Sequence, residues 1–218
     1  MVMGTEAQSG GTRERLMDAA QELFAERGFE GVSLRDITGA AEANVAAVNY
    51  YFGSRENLIA ALVERYAGPM NEKRMALLAE AERRHGEEAV PVEEVLEAFL
   101  TPMRDVIAKS EMSERLYCKF MGRLMGERGY RLPDSVQPAF QAMAGRFASA
   151  LRRAVPGLSE PLALWRMQYS FGVMANALMH GETFQQIAAG RAGDPGMDRQ
   201  FRQIIDFCAA GIRAASTP

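Results

Sequence analysis

The stretch Ser33-Leu34-Arg35-Asp36-Ile37-Thr38-Gly39-Ala40-Ala41-Glu42-Ala43-Asn44-Val45-Ala46-Ala47-Val48-Asn49-Tyr50-Tyr51-Phe52 decides the fold. Ser33 is placed to cap a short helix, with Asp36 three residues on as the acidic partner of a capping box. Leu34, Ile37, Ala40 and Ala41 form that helix's inward face. After Glu42-Ala43, Asn44 caps a second helix of about two turns. Its Val45 and Val48, spaced i and i+3, are expected to pack inward against Ile37 and Phe24. The opposite face then shows Asn44, Ala46, Ala47, Asn49 and Tyr50, small and polar. Two short helices joined by a tight turn make a helix-turn-helix pattern. A narrow polar helix fits a groove about 12 Å wide, where Asn pairs with adenine and an Ala methyl meets the methyl of thymine. Tyr50 and Ser33 are candidate donors to phosphates. The same pattern also describes an ordinary three-helix core with an exposed polar helix.

Upstream, a helix is expected to start after Thr12, bury Leu16, Ala20, Leu23 and Phe24, and stop at Gly28. Downstream, Gly53-Ser54 ends the unit and Ser54 caps a long fourth helix, which Gly68-Pro69 is expected to bend or break. Further helices are predicted at Val92–Ser110, Met112–Gly129, Asp134–Val155, Pro161–Phe184 and Met197–Ala215, punctuated by Pro91, Pro133, Pro156-Gly157 and the Gly190–Gly196 stretch. No run alternates in the strand sense. The expected architecture is all-α: a three-helix helix-turn-helix head over 12–66, then a larger helical bundle over 67–218 for ligand binding and dimerisation, about nine helices in all.

Of 218 residues, 48% are hydrophobic and 24% charged, which excludes a disordered or fibrous chain. Lys+Arg 25 against Asp+Glu 28 gives net charge −3, which argues against a general polyanion binder. Residues 1–66 hold six arginines and ten acidic residues, so any DNA reader here must place its few cations with care. Arg13, Arg35 and Arg55 sit at helix starts beside the reading face. Cys118 and Cys208 lack metal-type spacing and rule out a disulfide framework. With only His85 and His180, no metal or cofactor site is expected. Residues 1–11 are polar, without the apolar core of a signal peptide, and no apolar run is long enough to span a membrane. The expectation is a cytoplasmic protein without membrane contact.

The segment Thr12–Tyr66 resembles the N-terminal domain of the TetR family of transcriptional regulators. The likeness is carried by Ala19-Ala20-Gln21-Glu22-Leu23-Phe24-Ala25-Glu26-Arg27-Gly28-Phe29, by Val32-Ser33-Leu34-Arg35-Asp36-Ile37, and by Val45-Ala46-Ala47-Val48-Asn49-Tyr50-Tyr51-Phe52-Gly53-Ser54-Arg55-Glu56. The resemblance implies a homodimeric regulator of a palindromic double-stranded DNA operator, most often a repressor. It puts Ser33, Arg35, Asn44, Ala46, Ala47, Asn49, Tyr50, Tyr51 and Arg55 near DNA. Two positions depart from the family pattern: Glu42 stands at a turn position that is often glycine, and Arg55 replaces a frequent lysine. Arg55 is expected to keep the phosphate-binding charge.

Through Val48-Asn49-Tyr50 with Phe52-Gly53-Ser54, and in the body through Arg123-Leu124-Met125-Gly126, Leu164-Trp165-Arg166-Met167 and Phe207-Cys208-Ala209-Ala210-Gly211-Ile212-Arg213-Ala214, the chain is similar to the PsrA-type, fatty-acid-responsive subgroup. That implies an apolar pocket for a small hydrophobic, acyl-type effector. Met is abundant, at 14 residues, and thioethers adapt to irregular apolar ligands, although a Met stripe also makes ordinary core. Pocket candidates are Phe99, Met103, Ile107, Phe120, Leu124, Phe147, Tyr169 and Met174. Pro102 is expected to kink its helix. Asn176 and His180, at i and i+4, fit a ligand head group, a dimer interface or a buried carbonyl. Arg123 and Arg166 fit a carboxylate or an internal salt bridge. The last two helices are expected to form the dimer through Phe171-Gly172, Ala175, Ala177, Leu178, Ile204, Ile205, Cys208, Gly211 and Ile212. Two alternatives stay open: a sensor of aromatic or cationic compounds, or a dimer without an effector. Enzyme activity is not expected. Glu82-Arg83-Arg84-His85 is half of a di-iron pattern, and no G-x-S-x-G or phosphate loop is present.

Overall fold

The computed structural model describes the backbone of residues 5–109 and 132–214, and side chains over 11–104, 132–181 and 183–214. These described residues form eight helices and no strand. In chain order they are α1 (Thr5–Arg27), α2 (Leu34–Ala40), α3 (Val45–Phe52), α4 (Arg55–His85), α5 (Val92–Lys109), α6 (Gln137–Ala154), α7 (Glu160–Ile187) and α8 (Met197–Arg213). The helix expected over Met112–Gly129 lies outside the described residues. The chain divides into two compact units, with one boundary between Gly68 and Pro69.

In the first unit α1, α2 and α3 pack on one another. Leu16, Ala20, Phe24, Ile37, Val48, Leu58 and Leu62 make its fully buried centre, and the rings of Phe24 and Phe29 lie 4.9 Å apart. The starts and stops follow from caps. Gly28 at φ 77° ends α1, with its N–H on the Phe24 carbonyl. Ser33 and Asp36 form the complete capping box of α2. Asn44 accepts from the Ala47 N–H at 2.9 Å to start α3, and Ser54 accepts from the Asn57 N–H at 3.1 Å to start α4.

Other expectations need correction. α1 begins at Thr5, not after Thr12. The Thr12 hydroxyl instead accepts from the Arg15 guanidinium at 3.2 Å and caps no helix start. In α2, Ala40 is exposed and Thr38 is buried in its place, its hydroxyl donating to the Arg35 carbonyl. α4 neither stops nor breaks at Gly68-Pro69, and α5 runs through Pro102. A proline removes one helical hydrogen bond, which the burial of Tyr66, Ala67 and Met70 on either side offsets in α4.

The turn after α2 carries local strain. The Ala43 N–H bonds the Thr38 carbonyl at 2.9 Å and the Glu42 N–H reaches the Gly39 carbonyl at 3.4 Å. This is a Schellman closure, which demands a left-handed residue at its centre. Glu42 fills that place at φ 49°. For a residue with a Cβ the conformation costs about 1–2 kcal/mol. Ala189, at φ 51°, does the same at the end of α7.

In the second unit α8 packs against α5 and α7. One stripe of α8, formed by Phe201, Ile204, Ile205, Cys208, Ala209 and Ile212, is buried. Arg213 holds Glu93 through two contacts of 2.5 Å, and Arg104 holds Asp198 at 2.7 Å. Both pairs are exposed and contribute little to stability.

Candidate nucleic-acid interface

α3 is eight residues long, and its faces are unequal. Val48 and Phe52 anchor it in the head. Asn44, Val45, Ala46, Asn49 and Tyr50 face outward, Tyr50 being 80% exposed, while Ala47 and Tyr51 are half-buried. Val45 is 37% exposed, so it joins the outward face rather than the core as expected. At 100° per residue Val45 shares the face of Val48 and Phe52, so its exposure comes from its place in the first turn, at the open end of the helix, and not from its direction. Its position directly after the cap was the signal for this. The Tyr50 ring stands edge-on to Tyr51 at 4.9 Å.

Hydrogen bonding separates residues that look alike in the sequence. Asn44 uses its amide oxygen in the helix cap. Bidentate pairing with adenine needs both ends of the amide, so Asn49, whose side chain is exposed and uncommitted, is better suited to it. The Ser33 hydroxyl donates to the Asp36 carboxylate at 2.5 Å and accepts from the Asp36 N–H. The Ser33 hydroxyl and the Ser33 N–H, which donates at 2.8 Å, together hold the Asp36 carboxyl below the usual carboxylate range, and the hydroxyl's two bonds commit it to the cap.

The head's cations also differ in what they are free to do. Arg55 does not project from the surface as a phosphate-binding side chain would. Its Nη2 donates to the carbonyls of Phe29 and Val32, and the guanidinium lies 5.3 Å over the Phe24 ring. Arg15 donates to the Ala41 carbonyl at 3.2 Å, at the end of α2. Arg65 pairs with Asp18 and Glu14. Beside it the Tyr66 hydroxyl donates to Gln21. Burial pushes the Tyr66 phenol up to about 12, which keeps it a donor. Arg13 pairs with Glu14 at 3.1 Å over the Phe52 ring. Arg35 is exposed and makes no hydrogen bond or ion pair among the described residues. It is therefore a cation beside α3 whose charge is uncommitted among the described residues.

In the body, Phe99, Met103, Phe147 and Met174 are buried, and the Phe99 and Phe147 rings lie 5.3 Å apart. Arg74 is buried beside them, donating to the Phe99 carbonyl at 2.7 Å and lying 4.6 Å over its ring. Sequence reasoning missed Arg74, because a single cation on a mixed helix looks like surface. Ile107, Phe120 and Leu124 lie outside the described side chains. Tyr169 is not inside: it is 61% exposed and stacks on Trp165 at 6.0 Å. Between α7 and α8 runs an open groove of about 570 Å³, lined by Leu162, Tyr169, Val173, Phe207 and Gly211 among others.

This groove lies along the face expected to form the dimer, with different residues. Ile204, Ile205, Cys208 and Ile212 belong to the unit's own core. The outward stripe is Phe207, 69% exposed, with Ala210 and Gly211, which line the groove with Leu162, Arg166, Tyr169 and Val173 of α7, while Trp165, Gly172 and Asn176 of α7 are exposed. Asn176 and His180 are both exposed, so neither bonds a buried carbonyl. Arg166 donates to the Ile212 and Ala214 carbonyls, closing the end of α8. Glu82 pairs with Arg146 and His85 with Glu94, and the described residues hold no cluster of metal-ligating side chains. No helix among them is long and apolar enough to cross a membrane.

Comparison with known proteins agrees with this architecture. Residues 16–62 match the model of bacterial regulatory proteins of the tetR family, and residues 97–211 match the tetracyclin repressor-like C-terminal domain. The HTH-type transcriptional regulator UidR of Escherichia coli K12 is 26% identical over 193 residues, covering 72% of this chain and 96% of UidR. The HTH-type transcriptional repressor NicS of Pseudomonas putida is 32% identical over 65 residues, covering 30% of this chain and 31% of NicS. Two solved structures share the fold. A TetR family regulator from Marinobacter aquaeolei VT8 gives a TM-score of 0.62 at 14% identity, covering 94% of this chain and 97% of its own. The hemolysin II transcriptional regulator HlyIIR gives 0.54 at 19% identity, covering 91% and 97%. With a helix-turn-helix head, a helical body and both domain models matched in order, the chain belongs to the TetR family of bacterial transcriptional regulators.

Proposed function

We propose that this regulator is a homodimeric repressor that leaves a palindromic operator when its body takes up a small apolar effector. The observation that carries the DNA half is α3 itself: Asn49 and Tyr50 exposed, with the Asn49 amide uncommitted, on a helix anchored by Val48 and Phe52. Arg35 supplies phosphate charge beside it. Repression, rather than activation, is supported by the likeness of a 65-residue stretch to NicS, a transcriptional repressor.

The dimer half rests on the outward apolar stripe of α7 and α8. Exposed Trp165, Tyr169 and Phe207 around Gly172 and Gly211 make a self-complementary face of large and small residues. A two-fold partner covers that face and sets two reading helices one helical turn apart. An acyl-type effector is supported by the resemblance to the PsrA-type subgroup and by the Met-rich body. Such an effector releases DNA only if it binds one conformation better than the other.

The test is a pair of variants. Tyr50→Ala and Asn49→Ala should each weaken binding to a duplex selected by the wild-type protein by at least about tenfold, a loss of about 1.4 kcal/mol. Helix content and dimer mass should stay unchanged. Wild-type affinity in either variant contradicts the assignment of α3.

A further inference from the structure

The residue that closes α2 is also the acidic group nearest in sequence to the reading helix. Glu42 holds a left-handed backbone that glycine takes freely. Its carboxylate is exposed and makes no hydrogen bond or ion pair among the described residues, so the closing bonds of the turn hold the backbone while the side chain adds no contact of its own. It stands two residues before the Asn44 cap, at the end of α3 whose counterpart in helix-turn-helix complexes meets base edges. The head carries ten acidic residues against six arginines over 1–66, and another negative charge at the groove weakens any attraction to phosphate. Strain and repulsion at one exposed position point to a use for the side chain.

Major-groove chemistry defines that use. Guanine offers O6 and N7 and thymine offers O4, all acceptors that repel a carboxylate. Adenine offers N6–H beside an N7 acceptor. Cytosine alone offers its N4 amino group without a neighbouring acceptor on the same base. We propose that Glu42 is a specificity-determining residue: it accepts a hydrogen bond from cytosine N4 at the base pair beneath the α2–α3 turn and disfavours guanine or thymine in that cytosine's place. This rests on the reading of α3 as the DNA-contacting helix.

Two substitutions separate charge from strain. Glu42→Ala keeps the left-handed side chain and removes the carboxylate, while Glu42→Gly removes both. Each protein is used to select from a randomised duplex library, and affinities are then measured by fluorescence anisotropy. The wild type should enrich one symmetry-related pair of cytosines that both variants ignore, with all other positions unchanged. Replacing that cytosine should cost the wild type on the order of tenfold in affinity and the variants less than about threefold. Both variants should also bind random-sequence duplex several-fold more tightly at low salt.

A motif identical for all three proteins overturns the assignment, as does a change seen only with Glu42→Gly, which would trace to strain. A wild-type protein that enriches no sequence overturns the reading of α3 and this inference with it.

Discussion

Replacing Arg55 with alanine separates a phosphate-binding role from that of a brace. The guanidinium donates to two carbonyls, Phe29 and Val32, whose residues are almost fully buried, and covers the Phe24 face. Each bond from a charged donor, reduced for partial exposure, is worth about 1 kcal/mol. The cation–π contact adds about 0.5–1 kcal/mol. Arg55→Ala should therefore destabilise the head by about 2–3 kcal/mol, raising its opening equilibrium roughly 30- to 150-fold. Arg55→Lys should recover little, because one ammonium does not reproduce the planar fork. Native-state amide exchange over residues 28–34 reads the opening directly, in the loop that Arg55 ties down. The salt dependence of binding to a selected duplex reads the alternative. Removing a cation that neutralises a phosphate flattens the slope by about one, whereas removing a brace leaves it unchanged among folded molecules. A variant with wild-type exchange and a slope lower by about one refutes the bracing role.

Phe207→Asp should yield a monomer in sedimentation velocity with the helical content intact, since Phe207 touches solvent rather than core. A dimer that persists rules out this face. Effector affinity should rise by up to about fourfold per added methylene along an acyl series, following about 0.8 kcal/mol per buried CH₂. Met103→Trp should shorten the optimal chain in calorimetric titration, and affinity indifferent to chain length contradicts the acyl reading. The lowered pKa of Asp36 means its contribution is fully present above the unfolded value, near pH 4, and is lost as pH falls through the lower folded value. Thermal melts of the wild type and Asp36→Asn should therefore differ at neutral pH and converge in acid. A gap that persists at low pH shows that the capping box is not its cause.

Much of the head was legible because caps are local. Ser33, Asn44, Ser54 and Gly28 each act within four residues, so the starts of α2, α3 and α4 and the end of α1 follow from sequence. Most of what the structure changed depended on partners or faces that local sequence does not specify. Arg55 looked free because the carbonyls it holds lie 26 and 23 residues away. Ser33 looked available to phosphate because a capping hydroxyl and a free one are the same residue type. α8 carries a buried stripe around Ile204, Cys208 and Ile212 and an outward one around Phe207, and periodicity alone does not say which faces a partner. Tyr169 and Met174 were expected to share one pocket for the same reason, but they lie on opposite sides of α7, Tyr169 at the groove and Met174 in the core. Glu42 was visible as an unusual residue in a tight turn, but its left-handed backbone became apparent only with the Thr38–Ala43 bond.

The central claim is that two copies of α3 read successive major grooves. Methylation interference on a duplex selected by the wild-type protein tests this directly, because dimethyl sulfate marks guanine N7 in the major groove and adenine N3 in the minor groove. Two clusters of interfering guanines on one face of the duplex, about one helical turn apart, are the predicted result. A single cluster, or interference confined to adenine N3, would contradict the account.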